Sequence, residues 1–176
     1  GYGMKIMIIS DTHGKHENFI ELMEQTDRPD MVIHCGDVEG GEYVISECAG
    51  CPVEMVAGNN DFFSMLPRER EFYIGDYKVW LTHGHSYHVS MENTTIKREA
   101  VAKEVDIVMY GHTHRPVIEK EKEIIAINPG SLSYPRQEGR RPSYVMMELD
   151  QNGKAHFTLH FLHQESVNAG KVIRDK

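Results

Sequence analysis

The chain has 176 residues and a formal net charge of −8 at pH 7, with histidine counted as neutral. This length favours one domain with a substantial core, which we expect to cover residues 4–176. Because the chain is acidic and has no run of lysine or arginine, it is a poor candidate for binding extended nucleic acid, which depends on many phosphate contacts.

The start of the chain and its cysteines give expectations about processing and compartment. Residues 1–3 are expected to be a non-native remnant before a native start at Met4, and the start has no signal-peptide layout. No apolar stretch approaches the roughly 20 residues that span a bilayer, so no membrane partner is expected. Three cysteines without an export signal indicate a cytoplasmic protein. Cys48 and Cys51 form a single C-x-x-C, and we favour a structural over a zinc or redox role for it.

Strand-like runs and helical periodicity alternate along the first part of the chain. After the first strand, KIMII, apolar residues at helical spacing predict a helix over residues 15–26, before the strand MVIHC. A second helix is predicted over 42–48 and a third over 91–104, before the strand DIVMY.

The remaining predicted elements are strands. Residues 70–74 and 77–81 predict a hairpin, and Asn152-Gly153 is a strong turn between two later strands. The predicted strands of the C-terminal part cover 116–119, 123–127, 143–149 and 155–162. Alternating helices and strands followed by antiparallel strands predict an α/β fold with two mixed sheets.

Five apolar runs end in polar residues beside a glycine, in the segments KIMIISDTHG, MVIHCGD, VEMVAGNND, YKVWLTHGH and DIVMYGHTH. If the runs are neighbouring strands, their carboxyl ends bring the polar side chains to one edge, where open α/β sheets bind ligands. The candidate metal ligands at these ends are Asp11, His13, Asp37, Asn59, His83, His112 and His114.

These ligand types indicate transition-metal chemistry. Imidazole and oxygen without thiolate suit manganese, iron, zinc or nickel better than calcium or magnesium, which prefer oxygen alone. Two cations about 3.5–4 Å apart can clamp a phosphoryl group and acidify a bridging water, and Asp37 is the best candidate for a shared carboxylate. Two divalent ions outweigh the charges of Asp11 and Asp37, so the site would attract an anionic ester.

The ordered series DTH, GD, GNND, THGH and GHTH resembles the calcineurin-like metallophosphoesterase superfamily. The resemblance runs from Met4 to about Leu162 and is specifically to the small single-domain phosphodiesterase branch, which also includes Vps29 scaffold proteins. It implies a four-layer αββα sandwich, in which two mixed sheets are flanked by helices. It also implies two divalent ions, manganese first among them, and a bridging hydroxide as the nucleophile.

The resemblance also implies two ligand sets, and residues near them are further candidates for the site. One metal would be bound by Asp11, His13, Asp37 and His114, and the second by Asp37, Asn59, His83 and His112. Asp37, Asn59 and His85 are the candidate catalytic residues. Asn60, His85 and Arg136 are the candidate substrate-binding residues. Arg136 is included because an arginine fork suits phosphate oxygens. The alternatives are that Arg136 is a surface arginine and His85 a loop histidine without a role in the site.

One position departs from the pattern of the superfamily. Many members carry GNH, whose histidine is thought to protonate the leaving group, whereas this chain has Asn60 at that position. Because an amide cannot act as a general acid, the departure puts the degree of activity in doubt. The small branch commonly lacks this histidine, and every ligand position is filled here.

Three functions fit the sequence. The leading one is a phosphodiesterase that acts on a small phosphate ester. The alternatives are a phosphomonoesterase on the same site and a Vps29-like scaffold that binds protein partners without catalysis. A homodimer is the expectation from general frequencies of oligomers.

Overall fold

The computed structural model describes residues 3–137 and 139–162. The last residues of the predicted domain 4–176, and residues 1 and 2, therefore lie outside the described part. The helices are α1 (Glu17–Gln25), α2 (Glu42–Ala49) and α3 (Thr94–Ala102), and His85–Tyr87 forms a short 3₁₀ helix. The strands are β1 (Lys5–Ile9), β2 (Met31–His34), β3 (Val53–Met55), β4 (Glu69–Ile74), β5 (Tyr77–Thr82), β6 (Ile107–Met109), β7 (Pro116–Lys120), β8 (Ile125–Pro129), β9 (Ser143–Leu149) and β10 (Ala155–Phe161).

The strands form two mixed sheets. Sheet 1 has the order β10-β9-β1-β2-β3, and sheet 2 has the order β4-β5-β6-β8-β7. In each sheet three consecutive strands are parallel, namely β1-β2-β3 and β5-β6-β8, and the remaining pairings are antiparallel. In sheet 1, Ile8 of β1 pairs with Ile33 on one side and Val145 on the other.

Three apolar clusters build four layers from these elements. The central cluster lies between the sheets and includes Ile8 and Ile33 of sheet 1 with Leu81 of sheet 2. A second cluster packs α1 and α2 on the outer face of sheet 1, and a third packs α3 on the outer face of sheet 2 around the fully buried Trp80. The predicted four-layer αββα sandwich is confirmed.

Most predicted elements are present, and the differences lie at their ends. The hairpin of β4 and β5 and the strands β9 and β10 occur where the sequence predicts them. The third helix begins at Thr94 rather than at residue 91, because the Glu92 carboxylate accepts hydrogen bonds from the backbone N–H groups of Thr94 and Thr95 and so fixes the first turn there. The strand predicted over 123–127 is β8, which begins two residues later and extends to Pro129.

The parallel strands of both sheets end at a common edge. From this edge the loops after β1, β2 and β3 approach the loops after β5 and β6, since Nδ1 of His83 lies 2.8 Å from the Cys35 carbonyl and the N–H of His112 donates to Oδ2 of Asp11 at 3.0 Å. The two sheets therefore present their strand ends to the same space. Among the helices of the described residues, none has the length and apolarity that a membrane crossing requires.

Candidate metal centre

The seven candidate ligands lie at the carboxyl ends of five parallel strands. Sheet 1 contributes the residues that follow β1, β2 and β3, and sheet 2 contributes those that follow β5 and β6. The residues from sheet 1 are Asp11, His13, Asp37 and Asn59, and those from sheet 2 are His83, His112 and His114. A centre built from them spans the gap between the two sheets.

The first cluster consists of Asp11, His13 and His114, whose ligand-type atoms lie close enough together to hold one metal ion. The Nε2 atoms of His13 and His114 are 3.1 Å apart. Oδ1 of Asp11 lies 3.3 Å from Nε2 of His114 and 3.6 Å from Nε2 of His13. Three ligand atoms thus converge on one point.

The second cluster consists of Asp11, Asp37 and His83, all of them buried. Nε2 of His83 lies 3.3 Å from Oδ2 of Asp37 and 3.7 Å from Oδ1 of Asp11. The Asp37 Oδ2 atom is also 3.6 Å from Nε2 of His13, which belongs to the first cluster. Both carboxylates therefore face both clusters, so Asp11 is a second candidate, beside Asp37, for a ligand shared between two ions.

Asn59 and His112 lie beside the second cluster. Nδ1 of His112 is 3.1 Å from Oδ1 of Asn59, and the His112 ring is 5.2 Å from the His83 ring. Neither residue belongs to the two compact groups of carboxylate and imidazole ligands found in the described residues. Their side chains face each other.

Hydrogen bonds to the far side of each ligand orient its free atom toward the centre. Oδ2 of Asp11 accepts from the Ser10 hydroxyl at 2.6 Å and from the His112 N–H at 3.0 Å. Nδ1 of His83 lies 2.8 Å from the Cys35 carbonyl, and Nδ1 of His114 lies 2.6 Å from the Tyr134 carbonyl. When a carbonyl accepts the Nδ1 proton, Nε2 carries the lone pair that a metal needs.

Two buried atoms in the centre have no hydrogen-bond partner within the described part of the chain. They are Oδ1 of Asp11 and Nε2 of His83, which face each other in the second cluster. A buried polar atom without a partner is costly, and a bound cation is the partner that suits both an anionic oxygen and an imidazole lone pair. The donor set therefore fits metal ions.

The electrostatics of the centre are dominated by the two carboxylates. Burial lowers the pKa of His83, but Asp11 and Asp37 outweigh burial and raise this pKa to about 9. Burial raises the pKa of Asp37, but its contact with His83 outweighs that effect and lowers the pKa to about 2. Burial together with His83 lowers the pKa of His112. Burial also raises the pKa of Asp11, but the surrounding histidines outweigh burial and lower it. Both carboxylates are therefore ionised at neutral pH, and a cation is attracted to them.

Glycines beside the ligands allow close approach of the loops. A methyl group at Gly36 would lie 2.6 Å from Nδ1 of His83, and one at Gly111 would lie 2.7 Å from Oδ2 of Asp11. Neither distance is tolerable for a side chain. The close approach of the loops therefore requires glycine at these two positions.

Sequence reasoning missed two carboxylates that support the ligand loops. Asp61 is buried and accepts four backbone hydrogen bonds, from residues 37, 38, 39 and 58, at 2.6–3.2 Å. Glu39 contacts Nδ1 of His13 on the side away from the cluster. Asp61 lies in the GNND motif and Glu39 follows GD by one residue, so proximity to the motifs was the only available signal.

The other candidate residues border the centre. The backbone N–H of Asn60 donates to Oδ1 of Asp37 at 2.9 Å, and its side-chain amide donates to Oδ2 at 3.0 Å. His85 begins the 3₁₀ helix, with its ring 5.5 Å from that of His83, and burial and then the nearby His83 lower its pKa. Arg136 lines a cavity beside His13.

The C-x-x-C residues lie away from the centre. Cys48 is at the end of α2 and Cys51 follows this helix, and both pack against the outer cluster of sheet 1 as free thiols. Burial raises the pKa of both thiols, which makes them less reactive.

A family model described as the calcineurin-like phosphoesterase superfamily domain matches residues 4–152. The chain belongs to this superfamily. Among relatives of this calcineurin-like protein, probable metallophosphoesterase YsnB of Bacillus subtilis is 31% identical over 98% of the chain and 96% of the relative. Phosphodiesterase YfcE of Escherichia coli is 31% identical, with 84% of the chain and 89% of the relative covered. The prediction of a phosphoesterase of the small phosphodiesterase branch is confirmed.

Solved structures support the same placement. A conserved protein from Streptococcus pneumoniae, described as a predicted phosphoesterase, has a TM-score of 0.75 at 30% identity, covering 90% of this calcineurin-like chain and 88% of that one. Vps29 of Entamoeba histolytica, solved with zinc, has a TM-score of 0.72 at 23% identity, and the match covers 90% of this chain and 99% of Vps29. At this identity the likeness to Vps29 shows the shared fold alone.

Proposed function

We propose that this protein is a dinuclear metal-dependent phosphodiesterase that acts on small phosphate esters. The observation that carries the proposal is the pair of buried atoms without hydrogen-bond partners in the described residues, Oδ1 of Asp11 and Nε2 of His83, 3.7 Å apart. Relatives named phosphodiesterase support the same reaction class.

The ligand sets follow the pattern of the superfamily. Asp11, His13, Asp37 and His114 would hold one ion, and Asp37, Asn59, His83 and His112 would hold the other. When bound, the two ions would activate a water molecule and neutralise charge on the phosphoryl oxygens, and manganese is our first choice, with iron, zinc and nickel as alternatives.

The residues around the ions have separate tasks. Asn60 holds Asp37 through two hydrogen bonds, which fixes the orientation of the shared carboxylate. The proposed task of His85 is to bind the phosphate oxygens, and that of Arg136 is to bind an anionic group of the substrate with a forked pair of donors. Because Asn60 cannot donate a proton as an acid, the leaving group must depart largely unassisted, which favours esters of acidic alcohols.

The decisive experiment compares two aryl esters. Protein stripped with chelator and reloaded with Mn²⁺ should release 4-nitrophenol from bis(4-nitrophenyl) phosphate faster than from 4-nitrophenyl phosphate. The reverse order would favour the phosphomonoesterase alternative. Absence of turnover on both esters with each of the four metals would overturn the proposal.

A pair of histidine variants tests the assignment of ligands. His112→Asn should lower kcat/KM by more than about 100-fold, since it removes a ligand of one ion. His156→Asn is the matched control, because His156 is exposed on β10 and pairs only with Asp150 at 2.8 Å in the described structure. Equal activity of the two variants would contradict the role of His112.

A scaffold function is the second candidate, and one observation favours it. Phe62, Phe63 and Met65 are exposed by 78%, 101% and 97% in the loop that follows GNND. Exposed apolar groups of this kind are common where proteins bind partners. Unaltered partner binding by a protein that has lost its metals would distinguish this function from catalysis.

A further inference from the structure

A cavity of about 640 Å³ opens beside the first metal cluster. Its lining includes the candidate ligands His13 and His114, the segment from Ser133 to Arg136, and Arg140. We call it the arginine cavity. A substrate whose phosphate lies on the metal ions can extend one of its ester groups into this space.

The segment that lines the arginine cavity is fixed relative to the metal ligands. The N–H of Arg136 donates to the His114 carbonyl at 3.0 Å, and the Tyr134 carbonyl lies 2.6 Å from Nδ1 of His114. The Ser131 hydroxyl donates to the carbonyl of Asp11 at 2.8 Å. These hydrogen bonds therefore fix the position of the Arg136 backbone relative to the candidate metal site.

Positive charge predominates around the arginine cavity. Arg136 and Arg140 are exposed, and within residues 3–137 and 139–162 neither guanidinium forms an ion pair. Nζ of Lys15 lies 5.3 Å from the centre of the Tyr134 ring, which also lines the cavity. The one carboxylate in the described lining is Glu39, and it contacts His13.

Neither Arg136 nor Arg140 has a carboxylate partner among the described residues, so both guanidinium groups can bind an anion that enters the cavity. The scissile phosphate of a diester carries one negative charge, which the metal ions can neutralise by themselves. A cationic side chain beside the metal site contributes most to substrate binding when the substrate carries a second anionic group. Guanidinium groups suit such a group because they bind carboxylate and phosphate oxygens with forked hydrogen bonds.

We propose that the arginine cavity binds a second anionic group of the substrate, so that the preferred substrates are phosphodiesters with a carboxylate or phosphate on one ester group. This inference rests on the proposed phosphodiesterase function and adds a substrate class to it. It makes Arg136 and Arg140 determinants of specificity.

Two synthetic esters that differ by one charge test the proposal. The probes are 4-nitrophenyl phenyl phosphate and 4-nitrophenyl 4-carboxyphenyl phosphate, which share the leaving group. With Mn²⁺-loaded protein at low ionic strength, kcat/KM should be about threefold to tenfold higher for the carboxylated ester, as expected for exposed charge pairs. The preference should shrink as salt is added, because the charges are exposed.

Variants locate the preference in the cavity. Arg136→Gln and Arg140→Gln should each move the ratio of the two kcat/KM values toward one. Arg98→Gln is the matched control, because Arg98 lies on α3 beside a different cavity, and its ratio should equal that of the unaltered protein.

The outcomes separate the two proposals. If both esters are hydrolysed at equal rates, or if the arginine variants retain the full preference, the second-anion site is wrong and the phosphodiesterase function stands. If neither ester is hydrolysed, the phosphodiesterase function fails, and the second-anion site fails with it.

Discussion

Glu39 supports His13, a candidate metal ligand that the sequence identified, although the sequence did not identify Glu39 itself. Its carboxylate contacts Nδ1 of His13, while Nε2 of His13 faces Asp11 and His114. A carboxylate in this position fixes the orientation of the imidazole and raises the electron density on its other nitrogen. We therefore expect Glu39 to strengthen metal binding at the first cluster.

The Glu39→Gln variant tests this expectation. Its affinity for Mn²⁺ should fall by at least about tenfold, because an amide cannot supply the negative charge behind the imidazole. Isothermal titration calorimetry measures the affinity directly, with protein from which metal has been removed by a chelator and the chelator by dialysis. The matched control is Glu47→Gln, since Glu47 lies exposed on α2. Equal affinities for the two variants would contradict the role of Glu39.

Among the elements, the loops are where sequence and structure diverge. The strand ends and the convergence of the candidate ligands at one edge were predictable, because each apolar run is followed directly by ligand-type residues. Asp61 was not predictable as a support, because its four backbone partners belong to two loops that are brought together only by the pairing of β2 with β3. The start of α3 was placed too early, because the capping role of Glu92 depends on its side-chain conformation.

The Asp61→Asn variant tests the importance of this loop support. The free energy of unfolding should fall by about 2–3 kcal/mol, because an amide oxygen replaces a charged acceptor and its NH₂ group meets N–H donors. Urea unfolding in chelator measures the loss without a contribution from metal. Asp76→Asn, in the exposed turn between β4 and β5, should change the stability little. A loss of the same size in both variants would show that Asp61 has no special role.

At the scale of the whole molecule, the candidate ligands join the two sheets. Asp11 and Asp37 follow strands of sheet 1 and His83 follows a strand of sheet 2, so an ion bound between them would link both halves of the sandwich. Any ligand that binds only the folded state stabilises it. Metal binding should therefore raise the temperature of unfolding of the entire protein.

The pH dependence of stability should reverse when metal is removed. The pKa of His83 is 6.5 in the unfolded chain and about 9 in the folded one, because Asp11 and Asp37 outweigh burial. This contribution to stability is complete below about pH 6.5 and is lost as the pH rises through 9. In chelator, the unfolding temperature should therefore fall between pH 6.5 and 9.

Metal changes the sign of this dependence, because it must displace the proton from His83 and so binds more tightly as the pH rises. Thermal unfolding at pH 6.5, 8 and 9, with chelator and with Mn²⁺, measures both trends. His83→Asn should flatten the trend in chelator. A rise in unfolding temperature with pH in chelator would contradict the coupling of His83 to the two carboxylates.

Five of the seven candidate ligands have left-handed backbone conformations. They are Asp11 (φ 54°), His13 (φ 50°), Asp37 (φ 62°), His112 (φ 74°) and His114 (φ 60°). Such a conformation costs a residue with a side chain about 1 kcal/mol or more, and glycine and asparagine tolerate it best. The three apolar clusters contain none of these residues. A descendant released from selection for metal chemistry would thus lose this backbone cost by placing glycine or asparagine at these positions, without disturbing the apolar clusters that build the fold.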